Sequence, residues 1–145
     1  MSLYEIMTKE KKKFQQLTSK NICEIYNVLY NEKLISFPIT QEAENKIDSL
    51  VTSINGESFS VPHYVTVEEK VVAHLYFIIN NHAFTDGNKR TAVLVFRVLC
   101  RKNNLVQKLG DYNLDALAIY MEQVKERDHH GVITELANIL FVKNK

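Results

Sequence analysis

One run of this 145-residue chain holds most of its candidate chemistry: His82-Ala83-Phe84-Thr85-Asp86-Gly87-Asn88-Lys89-Arg90-Thr91-Ala92. Histidine is the side chain best suited to take a proton from a hydroxyl near neutral pH, so His82 is a candidate general base. Asp86 is a hard oxygen ligand of the kind Mg²⁺ uses, through one or two carboxylates plus substrate phosphates. Gly87 allows a tight turn and a close approach of ligand to main chain. Asn88 suits the cap of a helix starting there, whose first-turn N–H groups carry positive partial charge and attract phosphate. Lys89 and Arg90 add full positive charge at an end where helix-dipole complementarity favours acids, which makes sense once an anion neutralises them. The set reads as a polyphosphate cradle with a base at its rim, and phosphoryl or nucleotidyl transfer needs little beyond such positioning and charge stabilisation.

Each residue alone has a plainer reading: a histidine closing a helix is usually a core or capping residue, and Lys-Arg opening one is usually solvated. Two other phosphate or metal motifs fail. Gly87 to Thr91 is no Walker A loop, since the Gly-Lys-Ser/Thr sequence is interrupted and no strand precedes it; a calcium loop fails where Arg90 replaces an oxygen ligand.

The elements around this run are helical. Apolar residues at spacings of three and four predict a helix from about Lys9 to Asn31, with a break near Thr18-Ser19, and Pro38 marks the connection after it. Thr40 is an N-cap for a second helix with Ala43, Ile47, Leu50, Val51 and Ile54 on one face, closed by Asn55-Gly56. Residues 57–65 alternate in the manner of a strand and form a flap. Thr66 to Glu69 matches a capping box, after which Val67, Val71, Leu75, Ile78 and Ile79 share a face and lead to His82, which should look toward the interior. A further helix carries Val93, Phe96, Val98, Leu99 and Cys100 and decays in Lys102-Asn103-Asn104. Two more run from Asn113 to Val124 and from about Asp128 to Leu140. The expected fold is a single all-α domain over residues 1–145, a compact bundle of about six helices with one short β-like flap.

Composition narrows the function classes. Apolar residues make up 46% and charged ones 24%, ordinary for a soluble domain, and four glycines with two prolines are few for an all-β chain. A net charge of +1 argues against nucleic acid as a partner, and the run Lys9, Lys11, Lys12, Lys13 reads as a solvated helix face. No apolar stretch approaches membrane-spanning length. Cys23 and Cys100 fall in apolar helical phases without ligand spacing, so reduced buried thiols and a cytoplasmic setting are expected. Of the other histidines, His74 should be a satisfied core residue and His129-His130 a helix cap, while His63 and Tyr64 lie on the flap.

Residues 82–90 resemble the signature of the Fic/Doc family, roughly H-P-F-x-[D/E]-[G/A]-N-[G/K]-R, and Lys89 followed by Thr91-Ala92 is similar to the Doc branch. The similarity extends upstream through Tyr64 to Lys70 and covers about residues 56–104. It implies a transferase dependent on ATP, or on another nucleotide triphosphate: His82 as base toward a hydroxyl of a target protein, Phe84 as loop anchor, Asp86 as Mg²⁺ holder, and Gly87, Asn88, Lys89 and Arg90 as a phosphate nest. It also implies a flap, Phe59, Ser60, Val61, Pro62, His63 and Tyr64, that docks the target segment.

The departures bear on the reaction. Fic enzymes that transfer AMP resemble N-G-R-x-x-R, whereas this chain has Lys89 for the glycine and Val93 for the second arginine. Doc-like proteins with lysine there are associated with moving the terminal phosphate of ATP to a threonine of a translation elongation factor, as toxins with an antitoxin partner. Phosphate transfer is therefore favoured, with AMP transfer the alternative and a non-catalytic nucleotide- or protein-binding module the second. Ala83 replaces the usual proline and removes no chemical group. Thr40-Gln41-Glu42-Ala43-Glu44-Asn45 resembles the family's inhibitory pattern [S/T]-x-x-x-E-[G/N], which makes Glu44 a candidate inhibitory residue or simply part of a capped helix.

Overall fold

The computed structural model describes residues 13–123 and 128–142. Among them run six helices and one small hairpin: α1 (Ser19–Asn31), α2 (Gln41–Asn55), β1 (Glu57–Ser58), β2 (Val61–Pro62), α3 (Val67–Asn80), α4 (Asn88–Lys102), α5 (Asp111–Gln123) and α6 (His129–Leu140). The all-α bundle with a minimal β flap is the expected architecture.

α3 is the central rod. It packs against α2, α4, α5 and α6, and Val71, Val72, Ala73, His74, Leu75, Tyr76, Ile78 and Ile79 are all buried. The expected single apolar face is thus a helix buried nearly all round, as a central element must be. Truncating one of its large side chains to alanine would cost about 2–5 kcal/mol.

Helix starts follow side-chain capping. Thr18 accepts a hydrogen bond from the Asn21 N–H while the Asn21 side chain accepts from the Thr18 N–H, a reciprocal box. α1 consequently begins at Ser19, and residues 13–18 are not helical; the helix expected from Lys9 is corrected to start here, and positions 9–12 lie outside the described residues. Thr40 and Thr66 cap α2 and α3 with a single bond each, accepting from the Ala43 and Glu69 N–H groups. Asp128 caps α6 through the Gly131 N–H, so His129 and His130 stand inside the helix rather than capping it. Asn103, buried at the end of α4, accepts from the Gln15 N–H at 2.7 Å and donates to the Gln15 carbonyl at 2.9 Å. That clamp fixes the segment before α1 to the bundle.

Helix ends use non-glycine residues in left-handed conformation. Lys33 (φ 62°) and Asn104 (φ 55°) follow α1 and α4, and the Leu34 N–H to Leu29 and Leu105 N–H to Cys100 carbonyl bonds close both as Schellman motifs. His82 (φ 46°) holds the corresponding position after α3.

The flap is an antiparallel hairpin pairing Glu57 with Pro62 and Ser58 with Val61. Phe59 and Ser60, expected as alternating strand residues, are its two-residue turn, both with positive φ (53° and 65°). This is the primed turn geometry whose twist matches the strands. Cys23 and Cys100 are buried thiols, as expected, and burial pushes them up to about 11 and about 12.

Candidate active site

The motif loop joins α3 to α4. Its apolar anchor is Phe84, 3% exposed and stacked on Tyr26 of α1 with ring centroids 4.2 Å apart. The Tyr26 hydroxyl in turn donates to the Phe37 carbonyl at 2.7 Å, so α1, the loop and the α1–α2 connection are tied through one ring pair.

Gly87, not Asn88, is the N-cap of α4, with φ 76°. A side chain there would meet two obstacles: the left-handed backbone, and the Ile35 side chain, which fills the space a Cβ would need. Asn88 corrects the sequence expectation for a second reason. Its carboxamide folds back into the loop, accepting from the Phe84 N–H and donating to the Phe84 carbonyl. Gly87 has no side chain to offer the first turn of α4, so that turn keeps N–H groups available to an anion.

Around this helix start lies an open cleft of about 270 Å³ lined by Leu34, Asp86, Gly87, Asn88, Lys89 and Arg90. Ligand pockets commonly span about 300–1,000 Å³, so the cleft lies at the small end of that range. Its charged walls are held by the protein itself. Lys89 Nζ lies 2.7 Å from Glu122 Oε2 of α5. Arg90 donates to the Leu34 carbonyl at 2.6 Å, and Asp86 accepts from the Ser36 N–H at 3.5 Å. Residues 32–37 thus form a strap across the loop. Uncapped N–H groups, two cations and one carboxylate share this cleft, a donor set whose chemistry is compatible with a phosphate group and a divalent cation.

His82 is exposed, contrary to the interior orientation expected. The helical stripe that would carry it inward stops at Asn80, and its left-handed backbone turns the imidazole out. On a surface loop it is open to an incoming hydroxyl.

The flap residues divide. Phe59, Val61 and Val65 are exposed, Phe59 fully; Ser60 and Pro62 are exposed beside them. His63 is used internally: its Nδ1–H donates to the Ser53 carbonyl, leaving Nε2 to accept from the Ser58 hydroxyl. Tyr64 is buried, stacked on His130 at 5.2 Å, so it underlies the flap instead of presenting to a target. His74 is buried with Nδ1 donating to the Lys70 carbonyl at 2.7 Å, but its Nε2 has no partner among the described residues; it is a half-satisfied core histidine, and burial lowers it to about 4. Glu44 sits in the first turn of α2, and Val93 is buried at 7% exposure.

Tyr26, Ile35, Ser36 and Glu122 complete the site and carry no local sequence signal, since each acts across at least 30 residues of chain.

A bundle of helices around a buried central rod, with a histidine and an uncapped helix start on one interhelical loop, defines a helical domain built to present that loop. A family model described as the Fic/DOC family matches residues 16–100, and the chain belongs to that family. Toxin Doc of Mycolicibacterium smegmatis is 32% identical over 82 residues, 57% of this chain and 62% of that protein. The aligned part therefore spans less than two thirds of the relative's length. No solved structure matches the chain.

Proposed function

We propose that the protein is a Fic/Doc-type transferase that moves the terminal phosphate of ATP to a hydroxyl of a protein target. The observation that carries this reading is the cleft at the start of α4, where an uncapped first turn, Asp86, Lys89 and Arg90 converge on the same interhelical loop that carries the exposed His82. Gly87 and the backbone behind it would receive phosphate oxygens. Arg90 and Lys89 would offset the charge that builds on them. His82 would take the proton of the attacking hydroxyl on an imidazole nitrogen and hold it as the new O–P bond forms and ADP leaves. Magnesium, when bound, supplies further charge neutralisation, with Asp86 to hold it.

Lys89 favours phosphate over AMP transfer. At the glycine position of AMP-transferring relatives its side chain lines the cleft wall, and the buried Val93 offers no second arginine. By likeness to the Doc branch, the proposed role is that of a toxin with a translation elongation factor as target and an antitoxin as partner, docking through the exposed flap tip at Phe59 and Val61. The test is label transfer from γ-labelled against α-labelled ATP, with Mg²⁺, into a lysate of the source cell. Label from the γ position alone is expected; label from the α position alone replaces this reading by AMP transfer, and no transfer of either favours the non-catalytic binding module.

A further inference from the structure

We propose that Glu122 is the positioning residue for Lys89, holding the lysine ammonium at the wall of the phosphate cleft and thereby setting how tightly the cleft grips a phosphate chain. This rests on the cleft being a nucleotide phosphate site, as above. Lys89 lies in the first turn of α4 and lines the cleft together with Asp86, Gly87, Asn88 and Arg90. A lysine there is pushed outward by the positive end of the helix dipole, and its four-carbon stem has many rotamers to explore. Glu122 answers both effects. It comes from α5, which packs on both α3 and α4, and its carboxylate accepts from Nζ at 2.7 Å. Both side chains are about four-tenths exposed, at 42% and 39%, so the pair is neither locked in the core nor lost in solvent.

Glu122 is not among the residues that line the cleft. Its carboxylate therefore acts on a bound anion through Lys89 rather than by contact. Arg90 is steadied separately, by the Leu34 carbonyl of the strap, so among the described residues Lys89 is the wall cation whose place depends on a charged side chain from another helix. Glycine at this position would need no such partner, so the lysine and the α5 carboxylate form one functional unit.

The experiment measures binding of Mg²⁺–ATP, and of sodium triphosphate lacking a base, by calorimetry to the full chain. Glu122→Ala should weaken both about three- to fivefold, the range a partly exposed ion pair supports. Glu122→Gln, whose amide oxygen can still accept from Nζ, should recover at least half of that loss. In a Lys89→Ala background Glu122→Ala should have no further effect. Glu122→Asp, which keeps the charge but draws it back by one methylene, should also weaken binding and serves as the test if the alanine variant does not fold. Unchanged or tighter binding in Glu122→Ala, or an equal loss in the Lys89→Ala background, overturns the proposal while leaving the transferase reading intact. Failure of the unsubstituted protein to bind either probe overturns both.

Discussion

The Asn88 side chain grips both polar groups of Phe84: it accepts from the Phe84 N–H at 2.9 Å and donates to the Phe84 carbonyl at 2.8 Å. A residue whose type suggested phosphate contact thus serves first to fold the loop that forms the proposed phosphate site, and the buried Phe84 ring stacked on Tyr26 is held in place by it.

Removing that grip leaves two partly buried backbone groups unpaired. Asn88→Ala should destabilise the protein by about 1–3 kcal/mol, and Asn88→Asp, which can accept but not donate, by less. Urea unfolding of the three proteins checks the order.

Gly87→Ala should be worse than a helix-propensity argument suggests, because the new Cβ would clash with Ile35 in a backbone with φ 76°. The left-handed strain alone is about 1–2 kcal/mol. Adding Ile35→Ala should relieve the clash yet leave that strain, so the double variant should be more stable relative to Ile35→Ala than simple addition predicts. Chemical denaturation of both singles and the double measures this.

His74 makes stability depend on pH. Its folded form is held neutral down to about 4, whereas in the unfolded chain imidazole protonates near the ordinary 6.5, so below 6.5 the unfolded state binds more protons. Stability from this group is full above pH 6.5 and falls as pH drops toward 4, by up to about 3 kcal/mol. His74→Leu should flatten that part of the profile, read as the urea midpoint at pH 7 and pH 4.5; an unaltered slope would remove His74 as its cause.

His82 is exposed and ends a helix in left-handed conformation. His82→Ala should lower label transfer by about 10²–10⁴-fold while shifting stability by about 1 kcal/mol at most. His82→Gly, which suits the backbone better, should restore stability and none of the activity.

The thiols of Cys23 and Cys100 are buried and pushed up to about 11 and about 12. Iodoacetamide at pH 8 should leave the native protein unlabelled and add two groups after denaturation, seen by mass.

The sequence by itself determined the helical bundle, because apolar spacing and threonine caps are local signals: α2 begins and ends where Thr40 and Gly56 place it. It also determined the motif residues, since a histidine, an acid, a glycine and two cations within nine positions state their chemistry without neighbours. Tertiary structure decided what those residues do besides. A left-handed turn put His82 outside, burial under His130 withdrew Tyr64 from the flap surface, and a two-residue turn set Phe59 at its tip. Ile35 closed the space beside Gly87, and Glu122 gave Lys89 a partner 33 residues away. Periodicity reports which face a residue occupies on its own helix; it cannot report which distant side chain that face will meet, because that depends on how the helices pack.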